Sequence, residues 1–351
     1  MFESRNKAVS KALARDIKIL AKSRKIRIMH VCGTHEVTVN KWGLRKLLPK
    51  NIQIICGPGC PVCITPAREI DLAIKLALFK KASLTVFGDI FRVPGTKSSL
   101  SQAKSKGADI KIIYSLDQAI NLAKKTKKQV VHFAIGFETT ACITAVEILE
   151  NITPEKKLNN FSVICSHRLI PSALKFLLKA GADDLDGFLL PGHVSTIIGL
   201  KPYQEIKKPC IITGFEPNDV LLAIKMILEQ KHPKVEIEYT RSVRPEGNVL
   251  AQKLISKVFD VCSADWRGIG NIPGSGLKLR ANFSKFDAQK KFNIKIEKSQ
   301  DIKPGCKCGA IMQGKAMPQD CPYFRKICLP HQPIGPCMVS REGACNIKIN
   351  S

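Results

Sequence analysis

Over its first two thirds, the chain alternates short apolar runs with amphipathic segments. The runs KIRIMHV (25–31), IQIIC (52–56) and SLTVFG (83–88) are typical of buried strands. The segments between them, VTVNKWGLRKLL and AREIDLAIKLALFKKA, place apolar residues at helical spacing. This βαβ rhythm predicts a parallel sheet with helices on its faces and with ligand-binding loops at the carboxyl ends of its strands.

A second block with the same rhythm begins near residue 129 and contains the runs QVVHFAIGFETT, NFSVICSHRL, DGFLLPGH and KPCIITGFE. In the first block Cys32 precedes Pro58 by 26 residues, and in the second Cys165 precedes Pro191 by 26 residues, so both pairs are offset by 133. We therefore predict an internal duplication that gives two similar parallel-sheet α/β domains.

The C-terminal third loses this rhythm, because Gly, Pro and Cys interrupt it from about residue 240. Six cysteines fall between 306 and 345, which predicts a region organised around a cofactor more than around an apolar core. The predicted domains are an N-terminal helix that packs on the C-terminal domain (1–25), two α/β domains (26–128 and 129–239) and an irregular, cysteine-rich iron–sulfur domain (240–351).

Composition narrows the class of protein. The 351 residues are 44% hydrophobic, and they contain neither an apolar run long enough to span a membrane nor a signal peptide at the N-terminus. We therefore expect a cytoplasmic protein without a membrane partner. Fourteen cysteines in such a chain favour metal or redox chemistry over stabilising disulfides.

The net charge of +27 makes nucleic acid the first partner to consider. The charge comes mostly from lysines scattered along every segment, however, and aromatic residues are only 6% of the chain. A base-stacking platform needs basic and aromatic residues interleaved, which this chain lacks. A solvated lysine-rich surface is therefore favoured over nucleic-acid binding, and an acidic protein is the better alternative partner.

Two cysteine motifs follow the first two predicted strands. In CGTHE, Cys32 ends a strand and His35 stands at a helix start, so Cys32 is predicted to be a functional thiolate. His35 is a base, a metal ligand or a capping residue. In CGPGCPVCITP, Cys60 and Cys63 form a C-x-x-C just before a helix predicted to begin at Thr65–Pro66. The pair fits a redox dithiol, half of a metal site or a structural turn.

Polar residues also follow the strands of the second block. Glu138, Thr139 and Thr140 open a predicted helix, where they can bind an anion or cap the helix, and no ordinary P-loop spacing is present. CSHRLIP supplies His167 and PGHVS supplies His193. We expect all of these side chains at strand ends, where such sheets gather their site residues.

The six C-terminal cysteines have the spacing C-x-C-x12-C-x6-C-x8-C-x7-C. Structural zinc usually shows two close C-x2-C or C-x2-H pairs, which are missing here. Widely spaced cysteines in Pro/Gly loops favour an iron–sulfur cluster held by four thiolates, while zinc and free or disulfide-bonded thiols remain alternatives.

Together these motifs resemble the HypD family of [NiFe]-hydrogenase maturation factors. The resemblance rests on CGTHE, GPGCPVCITP, GFETTA, CSHRLIP, LLPGHVSTIIG and the tail CKCGAIMQGKAMPQDC…C…PIGPCMVSREGAC, which occur in this order from residue 30 to 345. The one small departure is Cys142 in GFETTAC.

The resemblance implies a scaffold that assembles the Fe(CN)2CO centre of the hydrogenase with a HypC-type chaperone, and receives cyanide from a HypE-type partner. Cys32 would ligate that iron, with His35 beside it in the motif, and Cys60 and Cys63 would be a redox-capable dithiol near it. Glu138 joins these residues as a catalytic candidate, and Thr139, Thr140, His167 and His193 are cofactor-binding candidates. The tail would hold a [4Fe–4S] cluster, for which we assign Cys306, Cys321, Cys328 and Cys345. The resemblance leaves open whether Cys306 or Cys308 is the ligand, and whether Cys337 is one.

Two rival functions predict different behaviour. A free-standing thiol–disulfide oxidoreductase with an iron–sulfur cluster would reduce general disulfides through Cys60 and Cys63 without a partner. A basic nucleic-acid-binding protein with a structural metal site would bind DNA or RNA in a salt-dependent way, independently of Cys32.

Overall fold

The structure of the protein is a computed structural model that describes residues 3–78, 82–151, 158–182, 184–296 and 298–350. In these residues the strands are β1 Ile26–His30, β2 Ile52–Cys56, β3 Ala82–Phe87, β4 Ile110–Ile113, β5 Gln129–Gly136, β6 Phe161–His167, β7 Gly187–Pro191, β8 Cys210–Thr213, β9 Val235–Ile237, β10 Phe259–Trp266 and β11 Gly270–Leu279. The strands predicted at 25–31, 52–56 and 83–88 are thus β1, β2 and β3.

The helices are α1 Lys7–Ala21, α2 Gly33–Lys41, α3 Leu44–Leu47, α4 Pro61–Ile64, α5 Ala67–Ala77, α6 Leu100–Ser105, α7 Leu116–Lys125, α8 Glu138–Glu150, α9 Ile170–Lys179, α10 Gly192–Ile198, α11 Pro217–Glu229, α12 Val249–Val258, α13 Ala288–Phe292, α14 Cys308–Met312 and α15 Ala344–Ile349. Across the described residues, no helix has the length and apolar character that crossing a membrane requires.

Two parallel sheets form the centre of the molecule. The first has the strand order β2-β1-β7-β8-β9 and the second has the order β4-β3-β5-β6, while β10 and β11 form a separate antiparallel hairpin. Seven of the eight residues of β5 are buried, as expected for a strand covered on both faces. The predicted α/β class with parallel sheets is confirmed.

Strand pairing does not follow the predicted division at residue 128. β1 pairs with β7 in the first sheet, and β3 pairs with β5 in the second, so each sheet takes strands from both predicted α/β segments. The offset of 133 residues matches β1 and β2 with β6 and β7. β1 and β2 are neighbours in one sheet, whereas β6 and β7 lie in different sheets, so the duplication is not confirmed.

The N-terminal helix α1 packs mainly on α11, at the side of the first sheet. The prediction that it packs on the C-terminal domain is therefore wrong. Its buried residues Ile17 and Ala21 join the core beside that sheet. Arg5 forms an ion pair with Glu216, and Lys225 Nζ donates to Asp16 Oδ2 at 2.9 Å. The apolar stripe of α1 matches the apolar face of α11, which explains this placement.

The region predicted to be irregular, 240–351, is so only in part. It begins with the regular elements α12, β10 and β11, whereas the segment after α13 has little regular structure apart from short helices. This last segment returns to the first sheet, where α15 packs on α2 and Asn40 Nδ2 donates to the Ile347 carbonyl at 3.3 Å. The helix that carries Cys345 therefore lies against the helix that begins just after Cys32.

Candidate functional site

The loops after β1 and β2 meet at the carboxyl edge of the first sheet. A Cβ atom added to Gly59 would lie 2.1 Å from the Val31 carbonyl carbon and 2.2 Å from the Cys32 nitrogen, so only glycine allows this backbone approach. The Gly33 N–H donates to the Gly59 carbonyl at 3.2 Å and joins the two loops. CGTHE and CGPGCPVC are thus held together by their backbones.

A small cavity of about 20 Å³, partly open to solvent, lies between these loops and the C-terminal segment. This volume is about that of one probe sphere, enough for a single water molecule. Its lining includes five cysteines and three other ionisable residues: Cys32, Cys56, Cys60, Cys63, Cys337, His30, Glu36 and Glu342. The structure therefore brings three of the predicted site residues, Cys32, Cys60 and Cys63, to this one cavity.

Cys32 is partly buried at the N-cap position of α2. Burial and the nearby carboxylate of Glu342 raise the pKa of its thiol to about 11, although the N–H groups of Thr34 and His35 and the Thr34 hydroxyl act in the opposite direction. A pKa in this range keeps the thiol protonated near neutral pH as long as no metal ion is bound. A metal ion that binds here must displace this proton.

The C-terminal segment supplies one wall of the cavity through Glu342. The Thr34 hydroxyl donates to Glu342 Oε1 at 2.7 Å, and a Cβ atom on Gly33 would lie 2.3 Å from the Glu342 Cβ. Gly33 is therefore needed for the tail to lie against the start of α2.

Cys60 and Cys63 form a disulfide across the short helix α4, with a Cα–Cα distance of 5.3 Å. Both residues are buried, and the Cys63 N–H lies 3.2 Å from Cys60 Sγ. The helix predicted to be capped by Thr65 and to start at Pro66 begins one residue later, as α5 at Ala67 with Pro66 as N-cap, because the Thr65 hydroxyl bonds back to the Pro61 carbonyl. Asp301 accepts from the Ala67 N–H at 2.7 Å and caps α5 from the C-terminal segment.

His35 lies outside the cavity, on the side of α2 that faces β8. Its Nε2 donates to the carbonyls of Thr213 and Gly214 at 3.3 and 3.0 Å, and burial lowers the pKa of the ring to about 3. The rings of His35 and His193 stack on Phe215, with centroid distances of 5.1 and 4.0 Å. Both predicted histidines therefore lie at the β8 end of the same sheet, and His35 is neutral.

Glu138 and His167 lie at the edge of the second sheet and do not line the cavity at Cys32. Glu138 Oε1 accepts from the Ile170 N–H at 3.1 Å, whereas its buried Oε2 has no partner in the described part of the chain. His167 Nε2 lies 3.1 Å from the Thr144 hydroxyl, and burial lowers the pKa of this ring to about 3. The predicted site residues in the two sheets thus form separate groups, one at the first sheet and one at the second.

The threonines of GFETT have different surroundings. The Thr140 hydroxyl donates to the Phe137 carbonyl at 3.0 Å, and α8 has no side-chain capping hydrogen bond, so the capping role that the sequence left open beside anion binding is not confirmed. Thr139 is half-buried at the start of α8.

The buried carboxyl of Glu138 makes folding pH-dependent. Burial raises its pKa from 4.5 to about 8. Between these two pH values the folded protein therefore keeps a proton on Glu138 that the unfolded chain has lost. The stabilisation of the folded state by this proton is complete below about pH 4.5 and disappears as the pH rises through about 8. Relative to Glu138→Gln, the wild type should lose on the order of 1.4 kcal/mol of unfolding free energy per pH unit between about pH 5 and 8.

Denaturant unfolding of both proteins at several pH values measures this difference. Glu150→Gln is the matched control, because Glu150 lies on the same helix but is exposed, and this variant should follow the wild type. Parallel profiles for the wild type and Glu138→Gln would show that Glu138 is ionised in the folded protein.

The six C-terminal cysteines gather in one place. Cys308 contacts the thiols of Cys306, Cys337 and Cys345, and a Cβ atom on Gly335 would lie 2.5 Å from Cys308 Sγ and 2.9 Å from Cys306 Sγ. The Ile334 N–H points at Cys328 Sγ from 3.4 Å. Cys321 and Cys328 are buried close enough to act electrostatically on Cys306 and Cys345, respectively.

A buried arginine fits this group of thiols. Burial lowers the pKa of Arg267, while the charges of Asp301, Cys308, Cys337 and Cys306 raise it, and Nη1 has no partner within the described ranges. A cationic donor with a free N–H suits a negatively charged group held by thiolates. The soft donor set and this arginine together fit an iron–sulfur cluster.

Sequence reasoning gave no role to four ionisable residues that line the cavity: His30, Glu36, Cys56 and Glu342. His30 and Cys56 are the last residues of β1 and β2, and their position at the carboxyl ends of parallel strands was a usable signal. Glu36 is in the first helical turn after Cys32, within the CGTHE motif. Glu342 could not be found in this way because it comes from a segment without a regular hydrophobic pattern.

Comparison with known proteins adds independent information. A family model described as HypD, hydrogenase formation hypA family, matches residues 8–351. The chain is 46% identical over 347 residues to a putative hydrogenase expression/formation protein of Methanocaldococcus jannaschii, which covers 97% of this chain and 96% of the relative. It is 41% identical to the hydrogenase maturation factor HypD of Cupriavidus necator (98% and 94% covered) and 40% identical to that of Escherichia coli (92% and 88%).

Proposed function

This chain belongs to the HypD family of hydrogenase maturation factors, and from that premise we propose that it is the scaffold on which the Fe(CN)2CO centre of a [NiFe] hydrogenase is assembled. The observation that carries the proposal is the small cysteine-lined cavity in which Cys32 lies beside the Cys60–Cys63 disulfide. A narrow space of this kind would limit the access of water and oxygen to an iron intermediate.

Cys32 is proposed as the ligand of the iron unit, which is the cargo of the reaction. Cyanide and carbon monoxide favour an electron-rich, low-spin ferrous ion, and a soft thiolate supplies that electron density. The N–H groups of Thr34 and His35 both lie near Cys32 Sγ, so they would stabilise the thiolate once the iron has displaced its proton. His35 itself would act through its backbone, because its ring donates to Thr213 and Gly214.

The C-terminal segment is proposed to hold a [4Fe–4S] cluster through Cys306, Cys321, Cys328 and Cys345. A bound cluster of this kind supplies single electrons at low potential. Arg267 would balance its charge, and Cys337 reaches both the neighbouring thiols and the cavity that contains Cys32.

Cys60 and Cys63 are proposed as a two-electron carrier for the assembly reaction. Their disulfide becomes a dithiol by taking up two electrons and two protons, next to Cys32. Both cysteines are buried, which argues against a free-standing oxidoreductase that would have to reach disulfides of other proteins.

Removing one sulfur of this pair tests the carrier role. Cys60→Ala should lower the rate at which the Fe(CN)2CO unit appears on the protein to less than about one tenth, because a single thiol cannot carry two electrons. Cys142→Ser is the matched control, since Cys142 lies partly buried on α8. Infrared spectra recorded at intervals after induction give the rate, and a normal rate in Cys60→Ala would exclude the carrier.

The partners are proposed from the family and fit the surface charge. We expect a HypC-type chaperone to supply the second thiolate of the iron and a HypE-type protein to donate cyanide. The net charge of +27 favours acidic partner surfaces.

An infrared spectrum tests the proposed function as a whole. The wild type is purified anaerobically together with a HypC-type chaperone from cells that make both proteins. Cyanide and carbonyl stretches in the complex are the expected result. A spectrum without these bands, from protein that contains iron and sulfide, would remove the scaffold function and leave thiol redox chemistry as the better explanation.

A further inference from the structure

His30, Glu36 and Cys56 form a compact cluster in the wall of the cavity, which we call the His30 cluster. His30 and Cys56 end two neighbouring parallel strands and are register partners, so their side chains point to the same face of the sheet. Glu36 reaches back from α2, and its Oε2 lies 2.8 Å from His30 Nε2. One ligand atom from each of the three residues lies within 4.8 Å of the other two.

The protein alone does not satisfy the hydrogen-bonding capacity of this cluster. His30 is 2% exposed, and its Nδ1 has no partner among the residues that the structure describes. Glu36, also buried, is held by His30 on one side and by both terminal nitrogens of Arg45 on the other, at 3.0 and 2.7 Å. A buried imidazole nitrogen without a partner is costly, so this cluster keeps an unused donor or acceptor for a further group.

Arg45 acts as the counter-ion of the cluster. Its guanidinium neutralises Glu36, donates to the Ile54 carbonyl at 3.4 and 3.2 Å and approaches Cys56, and its side chain is 30% exposed. A divalent cation would neutralise the Glu36 carboxylate and a Cys56 thiolate together. Binding would therefore release the thiol proton of Cys56 and let Arg45 turn toward solvent.

The chemistry of the three donors selects the kind of ion. One imidazole nitrogen, one carboxylate oxygen and one thiol sulfur suit borderline ions such as Fe²⁺, Co²⁺ and Zn²⁺, whereas Mg²⁺ and Ca²⁺ prefer oxygen alone. We propose that His30, Glu36 and Cys56 form a second metal site, which holds a divalent transition-metal ion next to Cys32. If the proposed function holds, on which this step rests, the site holds the ferrous ion before that ion moves to Cys32.

Cobalt is the probe, because a cobalt–thiolate bond gives an intense charge-transfer absorption. The full chain carrying its iron–sulfur cluster is titrated with Co²⁺ under nitrogen, without thiol reductant, so that Cys60 and Cys63 stay disulfide-bonded. The Cys32→Ser background removes the neighbouring thiol. This protein should bind one Co²⁺ with a sulfur-to-cobalt band, and adding Cys56→Ser should remove the band and weaken binding by more than about tenfold.

Two further variants sharpen the result. Adding Cys142→Ser to the same background is the control and should leave the titration unchanged, because Cys142 lies on α8 outside the cavity. Arg45→Gln should tighten Co²⁺ binding, since it removes the competing cation. The proposal is overturned if the band is absent from the Cys32→Ser protein or survives Cys56→Ser.

The same variants separate this site from the scaffold function. Co²⁺ binding that depends on Cys56, in a protein that never shows cyanide or carbonyl stretches, would support the metal site and exclude the scaffold. If the cyanide and carbonyl stretches form in Cys56→Ser at the wild-type rate, the site is not the source of iron for Cys32.

Discussion

Replacing Cys32 by alanine is expected to abolish the cyanide and carbonyl stretches of the complex with the HypC-type chaperone. The thiol is the only group at the start of α2 that can give a soft anionic ligand at the cavity, and an alanine methyl group offers no ligand. Cys32→Ser should lose the bands as well, because a serine oxygen is a hard, weakly basic donor at neutral pH. Infrared spectroscopy of the anaerobically purified complex makes the measurement.

The fold should survive this change, which makes the result interpretable. Cys32 makes no side-chain capping hydrogen bond to α2 that meets normal geometry, so alanine should cost about 1 kcal/mol or less. Equal thermal unfolding curves for the wild type and Cys32→Ala would confirm this, and Cys142→Ser should retain full band intensity. Bands of normal intensity in Cys32→Ala would place the iron unit on another residue.

Single alanine substitutions of Cys306, Cys321, Cys328 or Cys345 are expected to reduce bound iron from about four atoms per chain to less than about one. A [4Fe–4S] cluster needs four thiolates, and the segment around these residues has too little regular structure to hold a cluster by three. Iron and sulfide analysis with visible absorption measures the loss. Unfolding of the C-terminal segment should follow, detectable as new protease cleavage after residue 293.

Cys308→Ala and Cys337→Ala are the matched controls, since both residues are buried in the same group of thiols. They should keep the cluster. Loss of iron in Cys308→Ala together with normal iron in Cys306→Ala would replace Cys306 by Cys308 in the ligand set, a substitution made plausible by the three thiol contacts of Cys308.

The sequence was most informative where each local pattern had one structural solution. The apolar runs of β1, β2 and β3 were bounded within one residue at each end, because buried parallel strands are short and flanked by turn residues. The proximity of Cys32 to Cys60 and Cys63 also followed from the pattern, since the carboxyl ends of adjacent parallel strands meet at one edge.

Long-range pairing was not contained in these patterns. The pairing of β1 with β7 depends on which strand edges remain open after the neighbouring strands have formed, and no local period records this. The contribution of Glu342 was missed for a similar reason, because it depends on the return of an irregular segment to α2. His35 was placed near Cys32 by sequence distance, yet its ring turns away along α2 to reach Gly214.

The strand order of the two sheets also constrains the timing of folding during synthesis. All strands of the second sheet are consecutive, from β3 to β6, so this sheet can form as soon as residue 167 has left the ribosome. β1 and β2 are made earlier but must wait for β7 at residue 187 before their sheet can extend. A nascent chain would therefore expose the apolar edge of β1, and with it Cys32, for several seconds at ordinary translation rates. Chaperone binding to that edge should be confined to chains between about 60 and 190 residues long.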